Sequence, residues 1–359
     1  MFVEDTPTRT IWWAGDAVAV IDQRRLPHDL VIAYWRTVDD VADGIAEMTV
    51  RGAPLIGVAA AYGIALAAAA DSSDAGVTAA MDRLVATRPT AVNLRWALDR
   101  VVSALLRTDP VRRADRAREM ADQMADDDVL ACRMIGDHGV ELIRAVHDRN
   151  ERQVQILTHC NAGRLATVEW GTATAPIYLA DRAGVPLHVW VSETRPRNQG
   201  AALTAWELGA AGIDHTVIVD NAAGHLFAQA MVDLVIVGAD RVAANGDAAN
   251  KIGTSLKAYA AAVFGVPFYV AAPWSTIDME MPSGESIPIE ERSPLEVLTF
   301  GGVPIAPAAT PARNWGFDVT PARFITSLIT DRGIVGADAE SIRVAATAAT
   351  EARRPGELG

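Results

Sequence analysis

Four short stretches of this chain bring together side chains capable of acid–base or anion chemistry. In Leu157-Thr158-His159-Cys160-Asn161, one of only two cysteines follows the apolar run 154–159. Neither Cys-x-x-Cys nor His-x-x-x-His spacing accompanies it, so no zinc site is indicated, and two cysteines cannot build a disulfide framework. From the residues alone Cys160 is either a buried inert thiol or an acid, base or nucleophile at a strand end, beside a helix start whose dipole would favour thiolate. Cys132, within Val129-Leu130-Ala131-Cys132-Arg133-Met134, reads as core packing. Asp240 follows the apolar run 234–239; desolvation raises the pKa of a carboxyl at such a mouth and suits it to general-acid work, unless it caps a helix or pairs with Arg241. In Arg51-Gly52-Ala53-Pro54 the proline fits the first turn of an apolar helix, so the N–H groups around Gly52 and Ala53 can face an anion with Arg51 adding charge; the same residues could be a helix start and nothing more. In the stretch 245–251, a turn leading into a helix over 252–264 would bring the Asn250 amide and the Lys251 ammonium to that helix's start. Together these stretches favour a small phosphorylated ligand.

Groups so far apart in sequence need a framework to converge. Five apolar runs, 154–159, 187–191, 216–219, 234–238 and 267–271, alternate with Ala-rich segments of helix length, the pattern of a Rossmann-like, doubly wound parallel sheet with right-handed crossovers. Ligands of such sheets bind at the carboxyl ends of the strands. Those ends carry His159-Cys160-Asn161, Ser192-Glu193-Thr194-Arg195, Asp220-Asn221 and Gly238-Ala239-Asp240-Arg241. No Gly-x-Gly-x-x-Gly follows the first strand, and Asn161-Ala162-Gly163 is a poor substitute, so a dinucleotide is not expected. Residues 1–150 read as a smaller domain with a short β element, including 31–35, and Ala-, Leu- and Arg-rich helices. The catalytic domain is expected over 151–348, with an ordered excursion over 273–311, and a frayed tail over 349–359. Residues 111–128 read as a solvated helix and 54–70 as a buried one, short of the ~18 to 20 residues of a membrane span.

With 359 residues, half of them hydrophobic, the chain can build two cores. The net charge of −13 and the lack of a Lys/Arg-rich run argue against nucleic-acid or anionic-membrane partners. The N-terminus MFVEDTPTRT lacks the pattern of a signal peptide, and a reducing cytoplasm is expected.

In order along the chain, RGAPLIGVAAAYG (51–63), RPTAVNL (88–94), LTHCNAG (157–163), ETRPRNQGAALTAWEL (193–208), DNAAG (220–224), VDLVIVGADRVAANGDAANKIGT (232–254), PFYVAAPWSTID (267–278), IPIEER (287–292) and FDVTPARFIT (317–326) resemble the signature segments of the S-methyl-5-thioribose-1-phosphate isomerase family. The resemblance implies a two-domain homodimer that converts an aldose 1-phosphate to a ketose 1-phosphate in methionine salvage, without metal or organic cofactor. Carried over by position, it makes Cys160 and Asp240 the catalytic pair and Arg51, Gly52, Ala53, Arg88, Gln199, Asn250 and Lys251 the substrate-binding set. Arg88 and Gln199 come from the resemblance alone.

A phosphate on C1 blocks free ring opening, so an acid must act on the ring oxygen; that role falls to Asp240. Cys160 then serves as base in an enediol route or as transition-state stabiliser in a hydride shift. Four features depart from the family pattern: Arg164, Asn198, Ala202, and the pair Glu169-Trp170. They leave the C5 substituent open between methylthio and hydroxyl, hydrogen, halogen or phosphate. Two rivals share the fold: a non-catalytic regulatory relative from the translation-initiation exchange factor, and a ribose-1,5-bisphosphate isomerase, for whose second phosphate Arg195 and Arg197 are the only candidate cluster.

Overall fold

The computed structural model describes residues 9–88 and 91–352, the last five as backbone, and the paired strands Phe2–Val3 and Thr6–Pro7. The strands Ile11–Ala14, Ala17–Ile21 and Ile32–Trp35 form an antiparallel sheet with the fully buried Ala17–Ile21 in the middle. Helices Val38–Ala46, Ala53–Ala70, Asp74–Val85 and Val92–Leu105 follow. Thr37 and Asp40 close a reciprocal cap on the first, and the Ser73 hydroxyl caps the third. Ala53–Ala70 is apolar on every face, so it must be surrounded. Among the described residues it is the one helix long and apolar enough to cross a membrane, and it is instead the buried centre of the first core.

Of residues 111–128, expected as a solvated helix, all from Arg113 onward belong to a longer element, Arg113–Asn150, which a single turn at Pro110–Arg112 precedes. Its charges line one side, while Ala117, Ala121, Met124 and Ala125 pack into the first core; the small alanines were the overlooked sign of close helix contact. Beyond Ile135 the same helix packs into a second core with Val154, Ile156, Ile177, Val189 and Ile236. The chain therefore changes core within a helix, upstream of the boundary expected near 150, where the helix ends.

The second domain is a seven-stranded sheet of order Gly333–Val335, Ser327–Thr330, Phe268–Ala271, Leu234–Val237, Val154–His159, Leu187–Ser192, His215–Ile218. All neighbours are parallel except Ser327–Thr330 with Gly333–Val335. The chain starts at Val154–His159, winds outward through Leu187–Ser192 and His215–Ile218, then returns to the other side through Leu234–Val237. The winding reverses between Val154–His159 and Leu234–Val237, and at such a switch point the loops leaving adjacent strands diverge and open a crevice. Cys160 and Asp240 leave those two strands.

Beside this sheet lies a smaller one of order Ile277–Asp278, Arg241–Ala243, Ala248–Lys251, Phe317–Thr320. It corrects the expectation for 245–251: Asn250 and Lys251 end a strand paired with Phe317–Thr320, and the next helix begins only at Thr254. Asn245 and Asp247 bond each other around Gly246, making a hairpin turn where a helix entry was expected. The excursion after Pro273 is ordered as short strands and single helical turns. The last helix, Ala339–Ala352, takes in the first residues of the expected tail, and 353–359 lie outside the described residues.

Candidate active site

One cleft of about 650 Å³, open to solvent, is lined by Arg51, Gly52, Ala53, Arg88, Cys160, Gln199, Asp240, Asn250 and Lys251, the whole expected catalytic and substrate-binding set, whereas the strand-end residues 192–195, 220–221 and Arg241 do not line it. The helical domain contributes its first four and the sheet domain the rest, so the cleft lies between the two. Gly52, at φ 105°, caps Ala53–Ala70 with Pro54 in its first turn. A Cβ there would meet the Ala166 backbone at 2.4 Å, so the turn seats directly on the loop after Cys160. A Cβ on Gly238 would meet that of Ala162 at 2.6 Å, so the Asp240 loop packs equally closely on the same segment.

Cys160 is held from both sides. Its N–H donates to the Thr194 hydroxyl (2.8 Å), its carbonyl accepts from the Thr204 hydroxyl (2.7 Å), and its thiol lies 3.5 Å from Gln199 Oε1. These bonds fix it at φ 61°, a left-handed backbone that a side chain with Cβ rarely adopts. No helix begins beside it, contrary to expectation: a single turn at Arg164–Ala166 comes first and the next helix starts at Thr174. Burial pushes the thiol up from its ordinary pKa, opposed by the charges of Lys251 and Arg51. The preceding His159 is wholly buried, its Nε2 2.8 Å from the Ile252 carbonyl, and burial lowers its pKa to about 3. It is therefore a neutral hydrogen-bonding group.

Asp240 neither caps a helix nor takes Arg241, which turns to Asp278 at 3.5 Å. Its N–H donates to the Ala249 carbonyl, tying the loop to the small sheet. Burial raises the Asp240 carboxyl above the ordinary carboxylate range, with Lys251, Arg88 and Arg51 pulling down and Glu290 adding to the rise. Lys251 is the leading cationic influence on both Cys160 and Asp240. It donates to the Gly316 carbonyl (2.9 Å), and its ammonium lies 4.5 Å from the centre of the Phe317 ring. Arg51, buried, donates to Gln23 Oε1 (3.1 Å), to the Asn161 carbonyl (2.7 Å) and to Asn161 Oδ1. Arg88 pairs with Glu290 at 3.0 Å, while its buried Nε finds no protein acceptor.

The cleft opens into two recesses of opposite character. One, of about 440 Å³, is bounded by Gln23, Arg24, Arg51, Arg197 and Gln199. The other, of about 530 Å³, is bounded by Ile56, Ala91, Ile287, Pro288, Ile289 and Phe317, with Arg88, Asp240 and Arg241 as its charged residues.

The departures from the family pattern fall mostly elsewhere. Arg164 lies over the Tyr178 ring (4.6 Å) and Trp170 stacks with Arg133 and Arg182, away from the cleft. Ala202 borders the basic recess. Arg195 donates to the carbonyls of Glu296, Val297 and Thr299, and Arg197 pairs with Glu296. Sequence reasoning did not single out Glu290, Phe317, Gln23, Thr204 or Glu207. All of these except Gln23 stand inside quoted segments, but nothing in the residue string shows that they turn inward.

The model of the Initiation factor 2 subunit family matches residues 49–337. A methylthioribose-1-phosphate isomerase of Rhodospirillum centenum is 54% identical over 355 residues, covering 95% of each chain. The crystal structure of 5-methylthioribose 1-phosphate isomerase from Pyrococcus horikoshii is similar at a TM-score of 0.87 and 42% identity, covering 95% of this chain and 96% of that one. The translation initiation factor eIF-2B delta subunit from A. fulgidus is similar at a TM-score of 0.79 and 40% identity, covering 92% and 96%.

Proposed function

The chain belongs to the Initiation factor 2 subunit family and, within it, to the methylthioribose-1-phosphate isomerases, and from that premise we propose that it converts S-methyl-5-thio-α-D-ribose 1-phosphate to S-methyl-5-thio-D-ribulose 1-phosphate, with Asp240 as general acid and Cys160 stabilising the transition state. It is an aldose–ketose isomerase. The observation that carries the finer reading is a carboxyl with a raised pKa in the same cleft as a buried thiol and the cationic or amide side chains of Arg51, Arg88, Gln199, Asn250 and Lys251, drawn from both domains.

The phosphate ester on C1 keeps the ring closed until the ring oxygen is protonated, and a protonated Asp240 supplies that proton. As the C1–oxygen bond breaks, C1 becomes electron-poor. The hydrogen on C2 migrates to C1 with its electron pair, the C2 hydroxyl becomes the carbonyl, and its proton passes to the carboxylate left on Asp240. The acid is thus regenerated without another reactant. Burial keeps Cys160 mainly as thiol, which suits this hydride shift better than abstraction of the C2 proton by a thiolate.

Arg51, the N–H groups of Gly52 and Ala53, Arg88, Gln199, Asn250 and Lys251 are the groups suited to the phosphate. The ring oxygen joins C1 to C4, so an acid at that oxygen has the phosphate on one side and C5 on the other. With the phosphate toward Arg51, C5 enters the apolar recess, which favours methylthio over hydroxyl or phosphate. The cluster considered for a second phosphate is already occupied by Glu296 and by carbonyls.

The test is turnover of the aldose 1-phosphate deuterated at C2, in ordinary water. Ketose that retains deuterium at C1 is expected. Complete loss of the label to solvent overturns the hydride route, and no ketose from any pentose 1-phosphate overturns the isomerase reading in favour of a binding role.

A further inference from the structure

Glu207 is only 2% exposed, on the short helix Ala205–Ala210 behind the cleft. It does not itself line the cleft, yet four donors converge on its carboxyl. Oε1 accepts from Asn161 Nδ2 (2.9 Å) and the Leu165 N–H (2.9 Å); Oε2 accepts from the Arg164 N–H (2.8 Å) and the Tyr178 hydroxyl (3.1 Å). A carboxylate buried without a directly bonded cation is costly, so a neutral residue of similar shape would serve better if only packing were required.

We propose that Glu207 is a positioning residue which, by fixing the side-chain amide of Asn161, holds the Arg51 guanidinium at the phosphate end of the cleft. The inference rests on the sugar-phosphate reading of the site. An asparagine amide has a donor end and an acceptor end, and what it faces decides its orientation. A carboxylate can face only the donor end. The Thr204 hydroxyl agrees: its proton goes to the Cys160 carbonyl, so toward Asn161 Nδ2 (3.0 Å) it can only accept. Oδ1 is thereby turned to Arg51, which also donates to the Asn161 carbonyl. With the amide reversed, an NH2 would stand against the guanidinium and Arg51 would lose its seat. One chain of bonds thus links Glu207 to both Arg51 and the Cys160 carbonyl.

The experiment is Glu207→Gln in the full-length protein. A glutamine offers one acceptor and one donor where four donors point, so the Asn161 amide loses its single orientation. KM for the sugar 1-phosphate and the inhibition constant of inorganic phosphate should rise together by about tenfold, the worth of one charge-assisted hydrogen bond, while kcat changes by less than about threefold. Arg51→Ala should add little to that rise in the Glu207→Gln background. An unchanged phosphate inhibition constant, or full additivity with Arg51→Ala, overturns the proposal even if melting temperature falls. Should Glu207→Gln fail to fold, Glu207→Asp keeps the charge but shortens its reach and should raise both constants by a smaller factor; no rise overturns the proposal. A wild-type protein that neither turns over the sugar 1-phosphate nor is inhibited by phosphate removes the reading of the cleft itself, whereas an active wild type with unaltered variants removes only the role of Glu207.

Discussion

The two recesses open from one cleft and have no lining residue in common. Around Gln199 the side chains are Arg24, Arg51, Arg197 and Gln23; around Phe317 they are Ile56, Ala91, Ile287, Pro288 and Ile289. An anion meets Arg24, Arg51 and Arg197 in the first, whereas the second offers an aliphatic wall with Arg88 and Arg241 as its cations. A molecule with a phosphate at one end and a thioether at the other therefore has a single favourable direction of entry. Asp240 borders the apolar recess and Arg51 the basic one, so direction of entry and alignment with the acid are one property.

The comparison can be broken first at the acid that borders the apolar recess. Asp240→Asn should lower kcat by about 10³-fold, the usual loss of a positioned general acid, read in the ketose-forming assay. The wild-type rate should fall as pH rises through the raised pKa of this carboxyl. The sign for stability follows: a carboxyl whose folded pKa is raised stabilises the fold while protonated and loses that contribution above the raised pKa. Asp240→Asn should thus gain on the wild type in melting temperature as pH rises out of the ordinary carboxylate range; the reverse trend would contradict a desolvated Asp240. Cys160→Ser should cost about 10²-fold in kcat with little change in KM, and a near-normal rate would remove the thiol from the mechanism.

Reversing the character of the apolar recess tests the direction of entry itself. Ile289→Asp should lower kcat/KM for the methylthio substrate by about tenfold to 10²-fold, since it sets a charge against an apolar group, with a smaller loss for the 5-hydroxy analogue. Equal losses on the two substrates would mean that C5 does not lie there. Smallest, Arg24→Ala should raise KM by no more than about twofold, because this partly exposed guanidinium already pairs with Asp22 and Glu47. A large effect would mean that the phosphate sits deeper in the basic recess than Arg51.

Strand runs were legible because a strand buried on both faces is apolar throughout, and the runs 154–159, 187–191 and 234–238 coincide with strands within a residue. Strand ends then brought Cys160 and Asp240 together by topology alone. In 245–251 the Asn-Gly turn is legible, but the small, buried alanines after it carry neither period clearly, so the sequence points to a helix start where the strand Ala248–Lys251 comes first. Arg164 departs from the family pattern four residues from Cys160, which is why it bears on the expected sugar pocket, yet its side chain packs on Tyr178. Glu207 was invisible for the complementary reason: a glutamate in a helix usually faces water, and only the loop folded against this one makes it an interior acceptor.

The helix Arg113–Asn150 is roughly 57 Å long at 1.5 Å per residue, and its two halves are buried in different cores. If either core unravels, the other loses a strip of its own interior. The two domains are therefore coupled in melting, and heat should take both in one cooperative step. Since half of the cleft hangs on each, a partly melted molecule with a working site is not a species this architecture permits.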